Sequence, residues 1–586
     1  MPEHKRIFDL LTTYSQAEST KTMLAGKIND HWVSYTVIDS CLIIEHVSKG
    51  LLEKGLRKGD RVAIMSGNRP EWTLCDFACN QIGAAIVPLY PTLSDHDLDY
   101  IIQDAGIQFF FASNPTLAQR IQQSLQRQQS EGAIYVFDAN QDFTSWQTIR
   151  ELGQQSSMDI ASFAQEVQED DLLTLLYTSG TTGQPKGVGL SHRNILTNVQ
   201  DCIHLLPQDF HKALSFLPLC HIFERMVVYL YLSKHIEIYF VETHENLVVN
   251  INEIKPDGFT TVPRVLEKVY DKIVEKGKTL TGLKRMLFFW AVDLGLKYQE
   301  SHKNKGWFTL QLSIARKLIF KKWQAALGGQ IKVIISGGAA LQPRLARTFW
   351  AAGIPLVEGY GLTETSPVIA VNSLEPGGLR FGTVGQVVRH VEVKIAEDGE
   401  ILCKGPSVFK GYFNLPEATS QSIDEEGYFH TGDIGELSKD GFLSITDRKK
   451  EIFKTAGGKY IAPQMLENKL MESIFIAQIM VIGENEKYPA ALIVPAWEPL
   501  EKWCDHKGIA LKPRPELVKS PEIMDKFQRE IEQINATLGQ WEKIKKFHLL
   551  PHEWTIERGE LTPKLSIRRK IIHTHYLAEI RSLYAV

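Results

Sequence analysis

The chain has 586 residues, room for three or four folding units at ~100–200 residues per domain. Apolar residues make up 44% and charged residues 23%, a globular rather than a disordered composition. Lys and Arg number 65 against 69 Asp and Glu, a net charge of −4, which gives no field for gripping nucleic acid through its phosphates.

No apolar run approaches the ~20 residues of a spanning helix, and the start, MPEHKRIFDLLTTYSQ, lacks the apolar stretch and cleavage site of a signal peptide. Seven scattered cysteines, Cys41, Cys75, Cys79, Cys202, Cys220, Cys403 and Cys504, predict reduced thiols in a cytosolic compartment. Cys75 and Cys79 share a helical face, but no second Cys/His pair stands at zinc spacing, so both are expected as buried small hydrophobes.

In chain order, DRVAIMSGN predicts a strand, EWTLCDFACNQIGA a helix, AIVPLYPT a strand, HDLDYIIQDAG a helix and IQFFFAS a strand. This alternation predicts a mostly parallel sheet with covering helices. The glutamine-rich 121–131 reads as a polar helix face. At 331–360 the pattern returns: IKVIISGG is a strand, LQPRLARTFWAAG a helix, IPLVEGYG a strand. Residues 379–445 are short runs broken by DG turns and predict antiparallel strands in a small barrel or hairpin subdomain. After DRKKE at 447–451 the chain reads as a compact α+β unit, so a domain boundary is placed between 446 and 447.

The strongest motif follows the strand LLTLLY. Residues 177–188 read YTSGTTGQPKGV, with Gly180, Gly183 and Gly187 removing bulk, Thr178, Ser179, Thr181 and Thr182 adding hydroxyls, and Lys186 adding a mobile cation. Such a loop suits polyphosphate oxygens. A Walker A loop needs Ser or Thr after its lysine, and Gly187 stands there, so that reading fails.

This loop resembles the signature [YF]TSG[ST]TGxPKG of the acyl-adenylate-forming enzymes, at every fixed position of 177–187. The resemblance runs from about residue 30 to the C-terminus through at least five ordered motifs. It implies an α/β fold: a large N-terminal domain (1–446) of two mostly parallel α/β subdomains and a small antiparallel β subdomain, then a small mobile α+β C-terminal domain (447–586). SGGAAL at 336–341 then lines the adenine pocket, with Gly337, Gly338, Ala339 and Ala340 in contact. EGYGLTETSP at 358–367 brings Glu358, Gly359, Tyr360 and Gly361 to the nucleotide, with Tyr360 stacking on adenine and Thr363 donating to an α-phosphate oxygen. Glu364, with Thr178, holds Mg²⁺, a cation that prefers carboxylate and phosphate oxygens. Asp433 in YFHTGDIG and Arg448 in TDRKK are the ribose pair, and Lys450 is the pivot of the mobile domain. Gly457 and Gly458 border the pantetheine tunnel of relatives that use CoA.

The ending GELTPKLSIRRK, 559–570, matches two family forms. In one the adenylation lysine is Lys564; in the register of the other that position is Ser566. Lys564 is chosen as the sole lysine in the loop ahead of the basic helix start. A lysine there stabilises the charge that develops on the α-phosphate and pyrophosphate.

LPLCHIFER (217–225) and VPRVLEKVY (262–270) resemble motifs of the long-chain acyl-CoA synthetases. His221 is assigned to substrate positioning, and Glu224 and Arg225 are open to a buried pair that fixes the turn. The apolar run ALSFLPLC offers no carboxylate for an amino group, so an aliphatic acid is the expected substrate. Residues 270–330 read as a long helical insertion. Between 301 and 323 stand six Lys or Arg and no acid. On a wheel Phe308, Leu312, Ala315, Ile319 and Trp323 share one face opposite Ser313, Lys317 and Lys321. Two readings stay open: a basic helix resting on anionic lipid, or a helix packed on its own domain, which is preferred.

The expectation is a cytoplasmic, AMP-forming long-chain fatty acid–CoA ligase using ATP, Mg²⁺ and coenzyme A, with a peripheral place on the inner face of a membrane as one reading of 301–323. The alternatives are a fatty acyl-AMP ligase loading a carrier-protein thiol and a silent nucleotide- or lipid-binding homologue.

Overall fold

The computed structural model describes residues 4–178, 184–300, 304, 306–555, 557–561 and 567–585. The chain divides into two units. One comprises Met1–Lys394, Leu402–Thr431 and Leu437–Leu443; the other comprises Ile395–Ile401, Gly432–Glu436 and Ser444–Val586.

In the first unit the alternation read at 60–120 forms a parallel sheet. Strand Arg61–Met65 lies between Ala85–Leu89 and Phe109–Ala112, joined through helices Pro70–Asn80 and Asp95–Ala105. Ser94 caps the second helix by accepting from the Asp97 N–H, and Gly106, at φ +60°, ends it. Ala133–Val136 and Leu172–Thr178 extend the sheet in parallel, and Lys186–Ser191 closes one edge antiparallel. Cys75 and Cys79 are both buried in helix Pro70–Asn80.

A second sheet runs Thr22–Ile28, Glu237–Phe240, Lys212–Ser215, Gly258–Thr261, Val333–Ser336 and Leu356–Gly361, all parallel. His31–Thr36 on one side and Val368–Val371 on the other flank it antiparallel. Helix Pro343–Ala351 returns the chain between the last two parallel strands, as the sequence at 331–360 predicts.

After 379 come the short strands Gly385–Val387, Glu392–Ile395, Glu400–Lys404, Phe429–Leu437 and Phe442–Arg448, of which Gly385–Val387 pairs antiparallel with both Val368–Val371 and Phe442–Arg448. Gly399 and Gly441, at φ +86° and +83°, take the left-handed corners of two DG turns. The chain passes between the two units within these strands.

The insertion is helical: Pro263–Lys278, Gly282–Lys297, Trp307–Ala315, a π turn at Arg316–Phe320, and Lys321–Ala326. Leu312, Ala315 and Trp323 are buried, and Phe308 and Ile319 pack on the same core, around Phe288 and Tyr270. The apolar face read from the wheel is therefore turned into its own domain. The wider π turn carries Phe320 inward as well.

In the second unit, strand Ala490–Pro495 lies between antiparallel Ile476–Ile482 and parallel Lys546–Leu549. Alternate side chains feed two cores. Ile479, Val481, Ala491 and Ile493 face helices Pro463–Leu470 and Pro521–Asn535, whereas Met480, Ile482, Leu492 and Val494 pack with Trp554, Ile572 and Ile580. No described helix is long and apolar enough to cross a membrane.

Candidate active site

In the first unit the glycine- and threonine-rich segment joins antiparallel strands. Thr178 is the register partner of Lys186, so the element after the segment is an antiparallel strand where a Walker A loop would be followed by a helix. Ser179, Gly180, Thr181, Thr182 and Gly183 lie outside the described residues. Gly187 sits closely packed: a Cβ there would meet Leu175, Phe413 and Tyr177 side-chain atoms at 3.1–3.2 Å.

Lys186 Nζ lies 4.8 Å from the centre of the Tyr412 ring, and the Tyr412 hydroxyl donates to Glu364 at 2.9 Å. The cation expected at the phosphates and the carboxylate expected at the metal thus share one aromatic neighbour. Burial, then the Glu364 charge, raise the Tyr412 hydroxyl pKa, so it stays a donor. No sequence pattern marks Tyr412, which is 48 positions from Glu364. Half-buried Thr363 begins a 3₁₀ turn, Thr363–Thr365, whose Thr365 hydroxyl accepts from the Leu362 N–H and donates to Pro367 O. Gly361 admits the Pro367 carbonyl where any Cβ would collide.

The segment 336–341 leaves the carboxyl end of Val333–Ser336, where open α/β sheets bind ligands. Gly337 donates to Thr261 O and lies against the Phe223 ring; Gly338 has φ +79°; Ala339 and Ala340 are exposed. Glu358, expected at the nucleotide, accepts from the Leu341 N–H at 2.8 Å and so closes this segment onto the next strand. Burial pushes its carboxyl up to about 8. Gly359 and Tyr360 follow on the same strand, half-buried. Gln342 donates to Glu267 at 3.1 Å, which ties the segment to the helix of the VPRVLEKVY motif.

The LPLCHIFER segment touches both sheets. Asn68 donates to Leu217 O at 2.7 Å and accepts from the Leu219 N–H at 3.0 Å. His221 begins helix Ile222–Ser233, its ring edge-on to Tyr90 at 5.2 Å. The pairing of Glu224 with Arg225 does not occur. Neighbours on a helix point about 100° apart, and each finds a different partner. Arg225 holds Asp76 through its Nη2 at 2.5 Å and its Nε at 3.1 Å, and donates to Tyr229 and Thr174. Glu224 accepts from Ser215 at 2.5 Å and from Thr260, and burial pushes it up to about 7.

In the second unit Arg448 Nε stands 3.3 Å from Asp433 Oδ1, so the two residues expected at the ribose are neighbours. Lys449 bonds Asp398 at 2.6 Å and Glu400 at 2.7 Å, and Glu400 accepts from the Gly432 N–H. Lys450 is exposed. Immediately after it, Glu451 accepts from Arg569 at 2.9 Å, and the same guanidinium donates to Glu467 at 2.6 Å. Burial pushes Glu467 up to about 7. Gly457 and Gly458 form the exposed turn between strands Phe453–Lys454 and Tyr460–Ile461, with Gly458 at φ +78°. Lys564 and Ser566 lie outside the described residues. Leu561 pairs antiparallel with Ile567 on either side of them, and Arg568 N–H donates to Glu560 O.

Residues 14–413 match the family model described as AMP-binding enzyme, and 451–586 match the AMP-binding enzyme C-terminal domain. The long-chain-fatty-acid–CoA ligase FadD15 of Mycobacterium tuberculosis is 32% identical, over 99% of this chain and 97% of that protein. Long-chain-fatty-acid–CoA ligase 1 of Homo sapiens is 31% identical over 94% of this chain and 82% of that protein. Among solved structures, the o-succinylbenzoate CoA synthetase of Bacillus subtilis in complex with its acyl-adenylate intermediate superposes with a TM-score of 0.68 at 21% identity, covering 96% of this chain and 97% of that one. At that identity it speaks for the fold.

Proposed function

The chain belongs to the AMP-binding enzyme family, and from that premise we propose that it is an AMP-forming long-chain fatty acid–CoA ligase. The observation that carries the chemistry is the Lys186–Tyr412–Glu364 cluster beside the turn Thr363–Thr365, which sets a cation, a hydroxyl and a carboxylate together in one sheet-edge site.

In this reading a fatty carboxylate oxygen attacks the α-phosphorus of ATP and pyrophosphate leaves, giving acyl-AMP. Lys186 and Lys564 offset the charge that grows on the phosphates, and Thr363 donates to an α-phosphate oxygen. The segment 337–340 and Tyr360 receive the adenine, Asp433 and Arg448 the ribose. His221, held by the Leu217–Leu219 turn on Asn68, positions the carboxylate. One Glu364 oxygen takes the Tyr412 proton donor; with the other and the Thr178 hydroxyl, the donors are all oxygen and fit Mg²⁺. Bound there, Mg²⁺ would neutralise phosphate charge. The C-terminal domain 447–586 then turns about Lys450, and the CoA thiol, losing its proton to solvent, attacks the acyl carbonyl and releases AMP. Gly457 and Gly458 border the path of the pantetheine arm. A long-chain acid partitions into lipid, so the same reading includes peripheral contact with the inner face of a membrane through 301–323.

Palmitate, ATP and CoA are expected to yield palmitoyl-CoA, AMP and pyrophosphate, and palmitate-dependent ATP–pyrophosphate exchange is expected without CoA. Exchange without any CoA-dependent thioester would turn the reading to a carrier-protein ligase; no exchange at all would overturn it. Exchange lost in Lys564→Ala and retained in Ser566→Lys fixes the lysine.

A further inference from the structure

The helical insertion carries a second apolar stripe, on the side away from its core. Trp307 is 70% exposed, and Leu310, Ile314 and Leu318 follow at helical spacing, each 43–52% exposed. Helix Gly282–Lys297 packs on this segment and shows Leu283 and Met286, 65% and 62% exposed, at its first turns. Seven of the eighteen exposed large apolar side chains among the described residues fall between 283 and 318, so the clustering is not the scatter of an ordinary surface.

The charges beside the stripe have one sign. Lys284, Arg285, Lys317, Lys321 and Lys322 are exposed, and none forms an ion pair with a described residue. Asp293 is the one exposed acid of 282–322, and Lys297 holds it at 2.6 Å. Apolar side chains alone would suit another protein equally; uncompensated lysines alongside them select an anionic partner with an apolar interior.

We propose that the outward faces of Leu283–Met286 and Trp307–Lys322 form a docking surface for an anionic lipid bilayer. Trp307 and the aliphatic side chains enter the boundary between headgroups and acyl chains, and the lysines lie on the lipid phosphates. This deepens and rests on the fatty-acid reading, because it brings the enzyme to where its substrate dissolves. It assigns the contact to the face opposite Phe308, Leu312, Ala315, Ile319 and Trp323, which the core already occupies.

The test mixes the full chain with vesicles of phosphatidylcholine alone or of phosphatidylcholine with phosphatidylglycerol, and sediments them. Binding is expected on the mixed vesicles only and is expected to fall with added salt. A triple variant Trp307→Ser, Leu310→Ser, Leu318→Ser, and a second, Lys317→Glu, Lys321→Glu, Lys322→Glu, should each bind about tenfold or more weakly. Both should make palmitoyl-CoA from detergent-dispersed palmitate at the parent rate. Failure of the ligase reading shows as no palmitoyl-CoA in any form, whatever the vesicles do. Equal binding to neutral vesicles, or binding unchanged in both variants, overturns the proposal. So does a dimer in sedimentation equilibrium that both variants abolish, which gives the stripe to a second copy.

Discussion

Arg225 in the first unit and Arg569 in the second each fasten elements far apart in sequence, and they differ in how much water reaches them. The Arg225 and Asp76 side chains are each 1% exposed, and the guanidinium's other partners are the Tyr229 and Thr174 hydroxyls. One cation and one anion are sealed together, joining helix Ile222–Ser233 to helix Pro70–Asn80 and to strand Leu172–Thr178. Arg569 is 20% exposed and serves two carboxylates, Glu451 and Glu467. A sealed pair is costly to break because the survivor keeps its charge out of water; where solvent reaches a partner, as at Glu451, that cost is softened.

Asp76→Ala sharpens that contrast most. It strands a buried guanidinium and is expected to cost about 3–5 kcal/mol in urea unfolding. An Asp76→Asn variant as stable as the parent would show that shape, not charge, holds the joint. Arg569→Gln is expected to cost roughly 1.5–3 kcal/mol. Amide exchange should quicken around Pro463–Leu470 and Ile476–Ile482 while helix Pro70–Asn80 keeps its protection.

The pH response follows next. Burial holds Glu467 and Glu224 up to about 7, above their ordinary 4.5. The folded chain therefore keeps protons that the unfolded chain releases, and their contribution is present at low pH and lost as pH rises from 4.5 to about 7. Glu467→Gln or Glu224→Gln should flatten that slope by an amount on the order of 1–3 kcal/mol across the window; an unchanged slope in both would rule out these carboxyls as its source. Glu451→Gln, the most exposed member of either cluster, should change stability by less than about 1 kcal/mol.

The parallel strands at 61–65, 85–89 and 109–112 are legible in the sequence because short apolar runs and amphipathic helices alternate there at βαβ spacing. The segments assigned to the nucleotide are legible as ordered motifs, most of them at a strand end, with Asp433 inside strand Phe429–Leu437. The partners that hold them are not. Asp76 lies 149 positions from Arg225, and Glu451 lies 118 from Arg569, which the sequence marks only as part of a basic helix start. Glu224 and Arg225 look like a pair only while their angle around the helix is ignored. On the insertion, a wheel finds the face that packs inward, but exposure of Trp307, Leu310, Ile314 and Leu318 depends on neighbouring helices that no local period encodes.

Thr178 and Lys186 face each other across an antiparallel pair, and side chains along a strand alternate between its two faces. A one-residue slip of that pairing carries the lysine to the side away from Tyr412. Register is therefore a specification of its own: a slip of one residue is expected to silence Lys186 in palmitate-dependent ATP–pyrophosphate exchange even when every residue of the signature is kept.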